Sequence, residues 1–146
     1  MDVEFLSEEL SSLPMPLGGA EAVVSLSAVS PEDIAALNFR YRKLDEPTDV
    51  LSFPLWEEDG RFVPPQWDSI PLGDVVVCPG IVRRNAEREN IGYNSEMARM
   101  IIHGVLHLIG FDHDTDGARR EMWDMQESVL GKYAERVRAK GGLMSE

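Results

Sequence analysis

The sequence contains only one cysteine, Cys78, and it has no long hydrophobic segment. A single cysteine excludes an internal disulfide framework and fits a reducing compartment, so we expect a cytoplasmic location. No apolar run approaches the roughly 18 residues of a membrane-spanning helix, and the polar start Met1-Asp-Val-Glu-Phe5 is not typical of a signal peptide. The sequence therefore predicts a protein without a membrane partner.

Basic residues are scarce, because 14 lysines and arginines face 26 aspartates and glutamates, which gives a formal net charge of −12. This excess of acid argues against nucleic-acid binding through overall charge, so a polyanionic ligand would need a local basic patch and a metal ion. The two local basic clusters are Arg40, Arg42 and Lys43, and Arg83, Arg84 and Arg88. Taken alone, each cluster fits a solvated helix face better than a binding site.

The length of 146 residues predicts a single domain that spans residues 1–146. Strand-like and helix-like patterns alternate, which predicts an α+β fold with α/β-like features: a small mixed four-stranded sheet with helices packed on it. The expected strands lie at residues 3–5, 22–29, 49–54 and 72–78. Residues 7–20 and 56–71 are expected to form loops, and residues 139–146 a frayed tail.

Helix signals are clear at several places. Ser30 and Pro31 suit the cap and first position of a helix that reaches about Lys43, and Pro79 opens a second helix that ends at about Glu89. A third helix, around residues 95–109, is apolar nearly all round, so we expect it to be the buried central helix. A long amphipathic helix begins near Thr115.

All three histidines of the chain lie within eleven residues, at His103, His107 and His113, and two of them are on the central helix. Residues four apart project from the same helix face, so His103 and His107 can bind one ion. Gly110 is the expected helix end, after which the chain turns and brings His113 to the same ion. We expect one Zn²⁺ per chain, although nickel, copper and cobalt also suit imidazole.

Three protein ligands leave one zinc position open for water, which is the catalytic arrangement. Zinc peptidases share this spacing in the motif H-E-x-x-H-x-x-G-x-x-H, but here Gly104 stands where their general-base glutamate lies. A zincin-like metallopeptidase therefore remains an alternative that lacks its usual base. Asp112, Asp114 or Glu121 would have to replace that glutamate.

Three segments together carry a resemblance to a known family: Leu37–Pro54, which contains Pro-Thr-Asp-Val-Leu-Ser-Phe-Pro, then Gly73–Pro79, and then His103–His113 with its glycine at position 104. In these segments the chain resembles the YbeY endoribonucleases, which are ribosomal RNA maturation factors of bacteria. The resemblance covers about residues 22–135. The stretch before it looks too short for a full first helix, and residues 56–71 look longer than a connection needs.

The resemblance implies a zinc-dependent, single-strand-specific endoribonuclease that acts in 16S rRNA 3′-end maturation and ribosome quality control. It implies that His103, His107 and His113 hold the zinc ion, and it assigns catalysis to Arg42 and His103, with a metal-bound hydroxide as nucleophile. The resemblance implies single-stranded or ribosomal RNA as the substrate, and ribosomal proteins or small-subunit assembly factors as partners. No residue is assigned to any other cofactor.

Arg42 is expected to face the metal across a cleft, because its planar donors match phosphate oxygens. The alternative role for Arg42 is an ion pair at the helix end with Asp45 or Asp49. An alternative for the whole chain is a non-catalytic ribosome-assembly factor in which zinc braces the fold.

Overall fold

The computed structural model of the chain describes residues 1–13 and 17–140. Its helices are α1 (Val3–Leu10), α2 (Pro31–Arg42), α3 (Pro79–Glu89), α4 (Tyr93–Leu108) and α5 (Asp116–Ala139). Its strands are β1 (Glu21–Ala28), β2 (Val50–Pro54), β3 (Glu57–Glu58), β4 (Arg61–Phe62) and β5 (Ser69–Val77).

The main sheet has three strands in the order β1-β5-β2. The central strand β5 pairs parallel with β1 and antiparallel with β2, so the sheet is mixed. The residues of β5 from Val75 to Val77 are buried, as expected for the middle strand of a covered sheet. The α+β class is therefore confirmed, but in the described residues the main sheet has three strands rather than the expected four.

The missing strand is the first one, because residues 3–5 belong to helix α1. The side chain of Asp2 caps this helix by accepting a hydrogen bond of 3.0 Å from the Phe5 N–H. The helix packs on α5, where the Asp2 N–H donates to the Tyr133 hydroxyl at 2.8 Å. Two alternating apolar residues were too short a pattern to distinguish a strand from a helix. The stretch that looked too short for a full first helix contains a helix of eight residues.

Residues 56–71 contain more structure than the expected loop. Strands β3 and β4 form a hairpin, and β5 already begins at Ser69. Asp59 and Gly60 connect the hairpin, and both have positive φ angles, 51° and 78°, as a type I′ turn requires. The Trp56 indole N–H donates to the Pro71 carbonyl, which ties this segment back to β5.

The first expected loop and the expected C-terminal tail differ in part from the structure. Residues 7–10 are helical, whereas residues 14–16 of the expected first loop lie outside the described residues. Helix α5 ends at Ala139, and most of the expected tail, residues 141–146, is likewise outside them. Within the described residues, no helix combines the length and the hydrophobicity that crossing a membrane requires.

Helix α4 is the central element, as its all-round apolar sequence predicted. It packs against β2 and β5 on one side and against α3 and α5 on others. Its buried residues are Glu96, Met97, Ala98, Ile101, Ile102, Gly104, Val105, Leu106 and Leu108. Because α4 is held on several sides, the side chains at its C-terminal end have a fixed position relative to the sheet.

Candidate metal site

His103 and His107 lie one turn apart near the C-terminal end of α4, and both are half-buried. Their Nε2 atoms are 3.2 Å apart. Two imidazoles on a tetrahedral zinc ion, at 2.0–2.1 Å each, would place their nitrogens about 3.3–3.4 Å apart. The helical spacing alone therefore brings these two nitrogens to a distance that fits one metal ion.

The end of α4 turns the chain so that His113 returns to the same place. Gly110 has a φ of 102°, its N–H donates to the His107 carbonyl at 3.2 Å, and the Phe111 N–H donates to the Leu106 carbonyl at 3.0 Å. These two bonds form a Schellman motif, in which glycine is favoured at the left-handed position. The predicted helix stop at Gly110 is confirmed.

A short connection carries His113 between α4 and α5. The carboxylate of Asp112 accepts a hydrogen bond of 3.0 Å from the Asp114 N–H, and the Thr115 hydroxyl accepts one of 3.0 Å from the Ala118 N–H. The first bond shapes a local turn and the second caps α5. His113 is thus positioned by a turn on one side and by a helix start on the other.

The three histidines converge in the structure. Each offers one ring nitrogen, and these atoms all lie within 4.8 Å of one another. Within residues 1–13 and 17–140, no carboxylate or thiol joins them as a fourth ligand in this group. The donor set therefore fits a metal ion bound by three imidazoles with a position left open.

His107 is poised to bind a cation in its neutral form. Burial lowers its pKa to about 4, and the neighbouring His103 and His113 rings act in the same direction, while contacts with the Phe111 backbone and Asp112 oppose them. A neutral imidazole has a free lone pair, which is what metal coordination needs.

Arg42 lines the same cleft as the histidines. The cleft has a volume of about 380 Å³, and it lies between the end of α2 and strand β2 on one side and the end of α4 on the other. Among the described residues, the salt bridges involve other cations, so neither Asp45 nor Asp49 forms an ion pair with Arg42. Arg42 is exposed and lies in the last turn of α2, where the helix dipole favours a cation.

The cleft without a metal ion is acidic. Asp49, Glu57 and Asp112 contribute carboxylates to its lining, against the single guanidinium of Arg42. A divalent cation at the histidines would balance this difference. Binding of an anion in this cleft should therefore depend on the metal.

The Cβ position of Gly104 faces strands β5 and β2 of the sheet. A Cβ atom at this position would lie 2.6 Å from Val75 Cγ1 and 3.1 Å from the Ser52 hydroxyl, which itself donates to the Gly104 carbonyl at 2.9 Å. The position is filled by the packing of α4 on β5. A glutamate here could not reach the metal without displacing the sheet.

Sequence analysis missed one polar group of this site, Gln126 on α5. It is 2% exposed, and its side chain lies 2.9 Å from Nδ1 of His103. The signal was available, because Gln126 stands on the apolar stripe formed by Met122, Val129 and Tyr133 at helical spacing. A polar residue within such a stripe must have a buried partner.

The likeness to known proteins covers most of the chain. A family model described as Endoribonuclease YbeY matches residues 5–134. The Endoribonuclease YbeY of Thermotoga maritima is 38% identical over 136 residues, which are 92% of this chain and 80% of that protein. The protein of the same name from Frankia casuarinae is 37% identical over 118 residues, which are 77% of this chain but only 57% of its relative, so this chain spans little more than half of that protein's length.

The fold is also similar to a solved structure. A solution structure of a Thermotoga maritima protein has a TM-score of 0.61 and 34% sequence identity, and the match covers 94% of this chain and 82% of that one. Together with the match over residues 5–134, this likeness establishes that the chain belongs to the Endoribonuclease YbeY family.

Proposed function

We propose that this chain is a metal-dependent endoribonuclease that cuts single-stranded RNA in the cleft between Arg42 and the three histidines. One observation carries the proposal: the same cleft is lined by three converging imidazoles and by an arginine that has no ion-pair partner among the described residues. The names of the relatives, all called endoribonucleases, support it further.

His103, His107 and His113 would hold the ion, which we propose to be one Zn²⁺ per chain. When bound, such an ion supplies a Lewis acid and an activated water at neutral pH. Arg42 would bind the phosphate of the RNA, because its planar donors match two phosphate oxygens and stabilise the charge that develops there. We assign catalysis to Arg42, which would bind the phosphate, and to His103, which would be one of the three residues that hold the ion.

The biological substrate that we propose is ribosomal RNA, with a role in maturation of the 16S rRNA 3′ end and in ribosome quality control. The resemblance of the sequence motifs supports this assignment. The net charge of −12 opposes binding of free RNA, so this assignment requires a partner that brings the protein to its substrate. Ribosomal proteins or small-subunit assembly factors could supply that contact, and the proposed location is the cytoplasm.

The test compares the zinc-loaded wild-type protein with three variants on a fluorescent single-stranded RNA. We expect Arg42→Ala to cut about 10²–10³-fold more slowly, as when one donor of a charge-stabilising site is removed, and His107→Ala and chelated wild type to show no cutting. Arg40→Ala is the matched control, because it removes the same charge from the same last turn of α2 and Arg40 does not line the cleft.

Three outcomes would overturn the proposal. Equal cutting by wild type and His107→Ala would identify a contaminating nuclease. Zinc binding and co-purification with ribosomal subunits, without any cutting, would support the zinc-braced assembly factor instead. Chelator-sensitive cleavage of a peptide library would support the zincin-like peptidase, whose base would have to be Asp112, the only one of the three acids considered that lines the cleft.

A further inference from the structure

Behind the histidines, a series of hydrogen-bonded polar side chains, here called the polar chain, connects α4 and α5 across their interface. Gln126 is its buried centre, with only 2% of its surface exposed. Its Oε1 lies 2.9 Å from His103 Nδ1, and its Nε2 donates to Glu127 at 3.1 Å. Arg99 and Glu96 complete the chain on the α4 side.

At the end of the polar chain that is distant from His103, a bidentate ion pair fixes the side chains. Arg99 donates from Nε and from Nη2 to the two carboxylate oxygens of Glu127, at 2.9 and 3.0 Å. Its Nη1 donates to Glu96 at 2.7 Å. Planar pairing of this kind sets both the position and the orientation of the Glu127 carboxylate.

The orientation of Glu127 decides the orientation of Gln126. An ionised carboxylate only accepts hydrogen bonds, so the amide group of Gln126 must turn its NH₂ toward Glu127. The carbonyl oxygen of the same amide then faces His103. Since that oxygen also only accepts, the proton of the neutral His103 ring must sit on Nδ1.

A proton on Nδ1 leaves the lone pair of His103 on Nε2. This is the nitrogen that lies 3.2 Å from Nε2 of His107, on the side where the three rings converge. Arg99 therefore fixes Glu127, Glu127 fixes the amide of Gln126, and Gln126 fixes the His103 ring so that its lone pair points into the cleft.

We infer that Gln126 is the positioning residue of the metal site: it locks His103 in the Nδ1–H tautomer and in the ring orientation that presents Nε2 to the ion. The inference rests on the proposed metal site. Partners of this kind commonly fix the ligand ring in metalloproteins, where they are usually a carboxylate or a backbone carbonyl. Here a neutral amide takes that place, and the negative charge lies one residue further away, on Glu127.

The first test replaces Gln126 by Met, which keeps the length of the side chain and removes both hydrogen bonds. We expect Gln126→Met to bind zinc about 10–100-fold more weakly in a competition titration with a chelating dye, because the loss of such a partner has effects of this size. Gln66→Met is the matched control, since Gln66 is the other glutamine of the chain and is exposed. It should bind zinc like the wild type.

A second variant separates positioning from general damage to the core. The double variant Gln126→Glu with Glu127→Gln exchanges the two side chains, keeps the net charge, and preserves an acceptor for His103 and an acceptor for Arg99. We expect its zinc affinity to stay close to that of the wild type. If this exchange weakens binding as much as Gln126→Met does, or if Gln126→Met binds normally, the inference is overturned.

A third readout needs no metal, so it distinguishes failure of this inference from failure of the proposed function. Nitrogen-15 spectra of the histidine rings, recorded on the metal-free protein at mildly alkaline pH, should show His103 with its proton on Nδ1. In Gln126→Met they should show a mixture of tautomers. A wild-type His103 protonated on Nε2 would overturn the role of Gln126, whereas absent zinc binding with the Nδ1–H tautomer present would overturn only the metal site.

Discussion

Gly104 shows how a single residue separates this site from that of a zinc peptidase. The histidine spacing is shared with the peptidase motif, yet the position after His103 faces β5 and has no room for a side chain. Val75 and Ser52 occupy the space where the first atom of a glutamate would begin. The missing general base is therefore a consequence of how closely α4 packs on the sheet.

Replacing Gly104 by Ala should destabilise the protein although alanine favours helices. A Cβ atom 2.6 Å from Val75 Cγ1 forces the helix and the sheet apart, and overpacking of this kind costs about 1–3 kcal/mol. The gain in helix propensity is at most about 1 kcal/mol. Urea unfolding should show the net loss in the free energy of unfolding.

The matched control for this prediction is Gly131→Ala, also within a helix. Nothing lies within 4 Å of a Cβ atom at Gly131, so this variant should be as stable as the wild type or more stable, by up to about 1 kcal/mol. If Gly104→Ala instead gained stability as Gly131→Ala does, the close packing of α4 on Val75 would be disproved.

At the scale of elements, α4 and α5 are joined by the polar chain that runs from Glu96 to His103. Arg99 belongs to α4 and Glu127 to α5, so their ion pair crosses the interface between the two helices. Both side chains are partly shielded from solvent, at 22% and 30% exposure. At this interface, the ion pair between the two helices is linked through Gln126 to His103 of the candidate metal site.

Replacing Glu127 by Gln should destabilise the protein at neutral pH and less so in acid. Burial tends to raise the pKa of Glu127, but hydrogen bonds from Arg99 and Gln126 outweigh it and hold the pKa below its usual value of 4.5. A carboxyl group whose pKa is lowered by folding stabilises the fold above its unfolded pKa, and this contribution is lost as the pH falls through the folded value. Urea unfolding of the metal-free protein, from neutral pH to below 4.5, measures the effect.

The comparison for this pH series is Glu135→Gln, which removes a carboxylate from an exposed position of the same helix. The difference in the free energy of unfolding between Glu135→Gln and the wild type should change little with pH. If the free energy of unfolding depended on pH in the same way in Glu127→Gln and Glu135→Gln, the ion pair of Glu127 with Arg99 would not stabilise the fold.

For the whole molecule, the charge distribution opposes the proposed substrate. The chain carries a net charge of −12, and the hairpin of β3 and β4 brings Glu57 and the turn residue Gly60 to the edge of the cleft. Phe62 of the same hairpin would lie 3.1 Å from a Cβ atom at Gly110, so the hairpin packs against the end of α4. This acidic edge should weaken the binding of RNA to the isolated protein.

Replacing Glu57 by Gln should strengthen RNA binding by the zinc-loaded protein. Removal of one carboxylate beside a bound phosphate is worth about 1 kcal/mol or less, or up to about fivefold in affinity, at low salt. The gain should shrink as the salt concentration rises, because exposed charges are screened. Fluorescence anisotropy with an uncleavable single-stranded RNA measures it. Glu135→Gln changes the net charge equally and does not line the cleft, so an equal gain there would point to overall charge rather than to the cleft.

The sequence predicted those parts of the fold that depend on local signals. The caps and prolines at Ser30, Pro79 and Thr115 place the starts of three helices correctly, to within a residue. Helix α1 was missed because eight residues form a stable helix only with tertiary support, which Tyr133 and Arg136 of α5 provide. The Asp59-Gly60 turn was missed because the flanking strands are only two residues long and one of them is entirely acidic.

For the candidate site, the sequence by itself determined the histidines, since the helical period places His103 beside His107 and Gly110 ends the helix before His113. Only the tertiary structure decided which other groups meet them. Arg42 and Gln126 lie on different helices, far from the histidines along the chain, and their approach depends on how α2 and α5 pack around α4 and the sheet. Periodicity is a property of neighbouring residues, whereas such long-range contacts follow from the packing of the whole core.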